Sequence, residues 1–211
     1  KSRKRSSSLN KLKRFIYLIS PKKIYNNFYK DLNDVLKIKK IKYFQLRIKN
    51  KSEREVIRIS LRIKKITKKY KVKLIINDDY KIVRKINADG CHLGQSDSAV
   101  TLARKMLKKK IIGSTCHNSK TLAYKAIRDK AQYIAFGSFF KSKLKPGAKK
   151  ANIDILKWGK KNVKIPIVAI GGITDKNYKK LIKAGANYIA ISSFIWDNPF
   201  LKPKLAIKKF K

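Results

Sequence analysis

Cysteine is scarce: Cys91 and Cys116 are the only two in 211 residues, and they lack metal-ligand spacing. That leaves no cysteine-built metal site and makes a reducing cytoplasm the expected setting. No apolar run reaches the ~18 residues needed to cross a bilayer, so no membrane partner is expected. The basic, serine-rich stretch from Lys1 to Ser8 contains no apolar segment ending in a small-residue cleavage site, which argues against a secretory leader. No GxGxxG follows the first strand-like run, which disfavours an open dinucleotide-binding sheet. The largest shortage is acidic: 12 Asp and Glu stand against 56 Lys and Arg, a formal charge of +44.

Such a charge admits a polyanion partner, because basic proteins bind nucleic acid through counterion release. Here, however, lysine is spread from end to end among Ile and Asn, without the concentrated patch or interleaved aromatics of a dedicated binder. The expectation is therefore a tolerant basic surface with no specific nucleic-acid partner. In a chain this poor in carboxylates, each Asp at the end of a strand becomes informative.

Length suits one domain with a substantial core, and 43% hydrophobic residues exclude a wholly disordered chain despite 32% charged ones. Short β-branched runs read as buried strands at Phe15 to Ser20, Tyr43 to Arg47, Leu74 to Asp78, Gly90 to Gly94, Ile111 to Thr115, Tyr133 to Gly137, Ile167 to Gly171 and Tyr188 to Ser192. Lysine-rich helical segments separate most of them. Ser52 to Tyr70 is the clearest, with Val56, Ile59, Ile63 and Ile66 along one side. The third and fourth runs leave room for only a brief helix. Eight strands alternating with helices predict an α/β protein, a closed (β/α)8 TIM barrel over residues 13–211, preceded by a basic tail at 1–12.

Active sites of such barrels lie at the C-terminal ends of the strands. The ends here carry Gln45, Arg47 and Lys49; Asn77, Asp78 and Asp79; His92, Gln95 and Asp97; Thr115, Cys116 and His117; Ser142, Lys143 and Lys145; Gly171-Gly172; and Ser192-Ser193. Asp78 and Asp97 come from neighbouring strands and are read as sharing a Mg²⁺, although either alone would more often cap a helix. Arg47, Lys49 and Lys145 beside them would suit a diphosphate leaving group. The glycine pair and the serine pair suit a second phosphate. His117 is a general base or a structural hydrogen-bonder, and Cys116 is a packed thiol. His92 and Gln95 are read as shaping the loop that presents Asp97. Trp158 and Trp196 are read as core or rim anchors.

The strings QLRIK (45–49), IINDD (75–79), HLGQSD (92–97), TCH (115–117), FGSFFKSKLK (136–145), IGGI (170–173) and AISS (190–193) together resemble the thiamine phosphate synthase family, in order from about Tyr17 to Trp196. The resemblance implies a Mg²⁺-dependent transferase that joins hydroxymethylpyrimidine diphosphate to hydroxyethylthiazole phosphate, releasing pyrophosphate. It implies that Gln45, Leu46, Arg47, Ile48, Lys49, Asn77, Thr115 and Lys145 contact the pyrimidine diphosphate, with Lys145, Arg47, Lys49 and Thr115 in the catalytic role. It further implies Asp78 and Asp97 as metal ligands, and Ser142, Lys143, Leu144, Gly172, Ser192 and Ser193 around the thiazole phosphate. Ile48, Asp79, Thr115 and Leu144 stand where the family usually has Glu, Arg, Ser and Thr. Of these, Thr115 keeps its hydroxyl, and Asp79 reverses a charge near the metal. Two alternatives remain at this point: a thiazole tautomerase-like barrel, which needs no diphosphate site, and a non-enzymatic polyanion-binding protein.

Overall fold

A computed structural model describes residues 14–140 and 150–211 of the chain. The basic tail at 1–12 and the loop residues Ser142, Lys143, Leu144 and Lys145 lie outside the described residues. The strands are β1 (Ile16–Ile19), β2 (Ile41–Leu46), β3 (Lys73–Asn77), β4 (Gly90–Leu93), β5 (Ile111–His117), β6 (Tyr133–Phe136), β7 (Ile167–Ile170) and β8 (Tyr188–Ile191). All pair in parallel in sequence order, and β1 closes on β8 through Ile16↔Ile189, Tyr17↔Ala190 and Leu18↔Ile191. The helices are α1 (Phe28–Leu36), α2 (Glu53–Lys69), α3 (Tyr80–Ile86), α4 (Val100–Leu107), α5 (Lys120–Arg128), α6 (Asp154–Asn162), α7 (Tyr178–Ala184), α8 (Ser193–Trp196) and α9 (Pro203–Lys208). The closed (β/α)8 barrel is the architecture expected from the strand spacing.

Successive strand residues face opposite ways, so each strand serves two cores. Ile16 and Leu18 of β1 join the layer between sheet and helices, whereas Tyr17 and Ile19 point into the barrel. The interior is unusually rich in tyrosine. Tyr17, Tyr43 and Tyr133 fill it together with Ile75, Val168, Ala135 and Ala190. Small residues on β6, β7 and β8 leave room for the rings, which pack at centroid distances of 5.4 Å (Tyr17–Tyr43) and 5.7 Å (Tyr43–Tyr133). Gly113 on β5 is part of this fit, since a Cβ there would lie 1.9 Å from the Tyr133 ring.

Helix α2 shows how the outer layer is specified. Ser52 caps it and Glu55 reaches back to the Ser52 N–H, a reciprocal pair that satisfies two otherwise orphaned donors. Ile59 and Ile63 are buried against the sheet, with Val56 and Ile66 packed at the edge of the same core. Each fully buried side chain of this size contributes about 1.5–3 kcal/mol. The brief helix between β3 and β4 is α3, which begins at an Asp79 cap and ends at Asn87 in the left-handed conformation (φ 50°). Among the described residues no helix is long and apolar enough to cross a membrane.

The few carboxylates are mostly committed to the surface. Asp34, Glu53, Glu55, Asp89, Asp129 and Asp154 each pair with a lysine or arginine. Exposed pairs of this kind contribute little to stability. Asp31 accepts from Tyr25, and Asp79 caps α3. Asp78 and Asp97, by contrast, sit beside each other at the barrel mouth.

Candidate active site

The strand ends are tied to one another side by side. Between β2 and β3, Gln45 donates from Nε2 to Asn77 Oδ1 at 3.0 Å. Gln45 is almost fully buried, so this amide pair forms a polar floor just above the tyrosine layer. Between β4 and β5, His92 Nε2 lies 2.8 Å from Thr115 Oγ1, while its Nδ1 lies 3.0 Å from the Tyr133 hydroxyl. That hydroxyl also meets Tyr17 OH at 2.8 Å. Burial pushes both phenols far above their ordinary range, so they remain neutral hydrogen-bonding groups.

The carboxylate pair is held by backbone. Asp78 follows β3 in the left-handed conformation (φ 64°), and its N–H donates to His92 O at 2.8 Å. Asp97 lies in the loop after β4, where its Oδ2 accepts from Gly94 N at 2.6 Å. Burial, with the adjacent Asp97 carboxyl, raises Asp78 to about 6, and the charges of Arg47 and Lys49 act in the opposite direction. Two carboxylates that resist ionising together, at an oxygen-only site, suit a divalent cation. Among the described residues no set of three His, Cys, Asp or Glu converges on a metal. A pair is nevertheless what Mg²⁺ uses when water and substrate phosphate supply its other ligands.

Across the mouth, Gly171 and Gly172 follow β7 with φ of 106° and 58°. A Cβ on Gly171 would lie 2.0 Å from Ser138 Oγ and 2.7 Å from Ser138 Cα, so this turn requires glycine. Ser192 precedes α8 and its hydroxyl donates to Ser20 O at 2.9 Å. Trp196 Nε1 donates to Ile19 O at 2.6 Å, and Ser20 Oγ accepts from Arg47 N at 2.9 Å. These bonds lock the β8 end to β1 and β1 to β2, completing the rim. Ser193 opens α8 beside them.

Several sequence expectations are refined by this geometry. Leu46, included among the pyrimidine-diphosphate contacts, is buried in the outer core, so only its backbone faces the mouth. Ile48 also packs on that outer core, as its alternation with Arg47 and Lys49 implied. Asp79 does not face the Asp78–Asp97 pair: its carboxylate accepts from Lys81 N (2.7 Å) and Ile82 N (3.1 Å) at the start of α3. The His92 side chain bonds to Tyr133 and Thr115 and stacks on the Tyr133 ring. Gln95 braces the Asp97 loop, through a bond from its Nε2 to Thr115 O. The imidazole gripped by two side chains is His92 and not His117, which is exposed. Cys116 and Cys91 are fully buried thiols pushed up to about 12, and neither is activated. Trp196 is buried in the core and Trp158 packs partly exposed at its edge, in line with the expected core or rim anchors. Sequence reasoning missed Tyr133 and Tyr17, although alternation within β1 and β6 placed both on the inner face.

Comparison with known proteins shows the family. The profile of the family described as thiamine monophosphate synthase matches residues 16–195. A thiamine-phosphate synthase of Pelagibacter ubique (strain HTCC1062) is 54% identical over 200 residues, covering 94% of this chain and 97% of that protein. One from Clostridium acetobutylicum is 37% identical over 195 residues, covering 91% and 92%. The solved thiamine phosphate pyrophosphorylase from Pyrococcus furiosus superposes with a TM-score of 0.83 at 27% identity, covering 95% of this chain and 94% of that one. With the profile running from β1 into α8 over a barrel of the same shape, the chain belongs to the thiamine monophosphate synthase family and is a transferase of thiamine biosynthesis.

Proposed function

We propose that the chain joins hydroxymethylpyrimidine diphosphate to hydroxyethylthiazole phosphate in a Mg²⁺-dependent reaction. The observation that carries this reading is the Asp78–Asp97 pair at the barrel mouth beside Arg47 and Lys49. A tautomerase on the same barrel would have no use for that arrangement. Mg²⁺ held by Asp78 and Asp97 would neutralise charge on the diphosphate oxygens. Arg47, Lys49 and Lys145 bind the same diphosphate and stabilise the negative charge that gathers on it as the bond to the pyrimidine methylene breaks. The bonding electrons leave with pyrophosphate. The thiazole nitrogen then donates its lone pair to the pyrimidine cation, forming the new C–N bond.

The remaining groups orient and exclude water. Gln45 and Asn77 already fix each other at 3.0 Å and so present a preset amide edge to the pyrimidine ring. Thr115, positioned by His92, offers a hydroxyl from β5 to the same substrate. Gly172, Ser192 and Ser193, with Ser142, Lys143 and Leu144 from the stretch between β6 and α6, form the thiazole phosphate site. The test is a coupling assay with both substrates, run with Mg²⁺ and with a chelator. Thiamine phosphate and pyrophosphate in equal amounts, lost on chelation, are the expected products. Failure to form thiamine phosphate with Mg²⁺ present would overturn the proposal.

A further inference from the structure

Part of the surplus positive charge is concentrated beside the active site. The β1–α1 loop, the β2–α2 loop and α2 enclose a groove of about 1070 Å³ that opens from Arg47 and Lys49. Beyond those two, its walls carry Lys22, Lys23, Lys51, Arg58 and Arg62. Glu55 is the only carboxylate among the lining residues, and it is already held by Lys51 at 2.9 Å and by the Ser52 cap. With Lys51 set against Glu55, six further cations line the groove. Arg58 and Arg62 are four residues apart on α2 and so project from one face of it. The Arg62 guanidinium is stacked 3.8 Å over the Tyr29 ring, which fixes its plane and leaves its N–H edge for an anion.

The groove's chemistry selects a small, highly charged anion over nucleic acid. Binding of single strands uses free aromatic faces on which bases stack. Here the Tyr29 ring has one face covered by Arg62, and the Tyr25 ring packs edge-to-face with Phe28 at 5.9 Å. The space is also at the upper end of small-molecule sites, roughly 300–1,000 Å³, and more than a single diphosphate fills. Arg47 and Lys49, the pair assigned to the diphosphate, line the same groove. We infer that this groove is a second anion subsite: it takes a diphosphate or a longer inorganic phosphate chain and delivers the diphosphate end of the substrate to Arg47 and Lys49. The delivery role rests on the proposed function; the anion subsite itself does not.

Inorganic triphosphate is the probe, titrated calorimetrically into the full chain at low ionic strength without metal. Two groove variants, Arg58→Ala/Arg62→Ala and Lys22→Ala/Lys23→Ala, are compared with Lys160→Ala/Lys161→Ala on α6, across the barrel. Each groove pair should weaken triphosphate binding at least tenfold and the α6 pair less than twofold. In turnover, the groove variants should keep kcat at saturating substrate and lose kcat/KM for the diphosphate substrate, with the gap closing as salt rises. Equal weakening in the α6 pair would show a bulk charge effect and overturn the subsite. So would a single-stranded oligonucleotide that binds more tightly than triphosphate and depends on the same four residues. Triphosphate binding lost only in the groove variants, in a chain that forms no thiamine phosphate, would support the subsite while overturning the proposed function.

Discussion

Replacing Asp78 with Asn should make the metal-free protein more stable while abolishing turnover. Asp78 is held at φ 64°, a conformation that Asn tolerates better than other non-glycine residues, so Asp78→Asn is a cleaner variant than Asp78→Ala. Burial and Asp97 raise this carboxyl from 3.8 to about 6. At ~1.36 kcal/mol per tenfold, that corresponds to roughly 3 kcal/mol. The group is only half-buried, and solvent screening reduces the effect to about 1 kcal/mol. The sign follows from linkage. The folded state holds this proton more tightly than the unfolded chain does, so the contribution favours folding below about pH 4 and is lost as pH rises to about 6. Above about pH 6 the ionised pair opposes folding. In chelator at pH 7.5, Asp78→Asn should melt about 2–4 °C above the wild type, and the difference should vanish near pH 4. Millimolar Mg²⁺ should raise the wild-type Tm and leave the variant unchanged. Equal melting temperatures at pH 7.5, or equal stabilisation of both proteins by Mg²⁺, would refute the reasoning.

Gly171→Ala places a methyl within 2.0 Å of Ser138 Oγ at φ 106°. It should cost about 1–3 kcal/mol in urea unfolding and raise KM for the thiazole phosphate more than for the diphosphate. Tyr133→Phe removes the hydroxyl that bridges Tyr17 and His92. A loss of about 1–3 kcal/mol is expected, with a fall in kcat that Thr115→Val reproduces in part, because each change removes one of the two hydrogen bonds that hold the His92 ring. Lys145→Ala should lower kcat about a hundredfold at saturating substrates, whereas Lys150→Ala should leave it nearly unchanged. Comparable small effects at both lysines would reduce Lys145 to a member of a generic basic loop.

The barrel was legible because its two periodicities are local. Runs such as Ile167–Ile170 and Tyr188–Ile191 declare buried strands by β-branched content, and the Val56, Ile59, Ile63 and Ile66 stripe declares a helix face. Eight such repeats leave few architectures open, and the rule that barrel sites lie at C-terminal strand ends then marked Gln45, Arg47, Lys49, Asn77, Asp78, Asp97 and Thr115 without coordinates. Scarcity helped as well, since a carboxylate kept at a strand end in so basic a chain stands out.

What only the tertiary structure decided is direction and partnership. Asp78 and Asp79 are neighbours of the same type, yet one faces Asp97 and the other caps α3, because the left-handed turn at Asp78 reverses the chain between them. In sequence His117 was the candidate base and His92 a loop-shaping residue, but the fold sends the His92 imidazole to Tyr133 and Thr115 and leaves His117 exposed. The tyrosine layer beneath the site joins β1, β2 and β6, which are far apart in the chain. Likewise, the basic groove draws Lys22 from one loop and Arg62 from another element. Sequence specifies a side chain's chemistry and its period along one element. Which groups meet is set by barrel closure and register, and these are properties of all eight strands together.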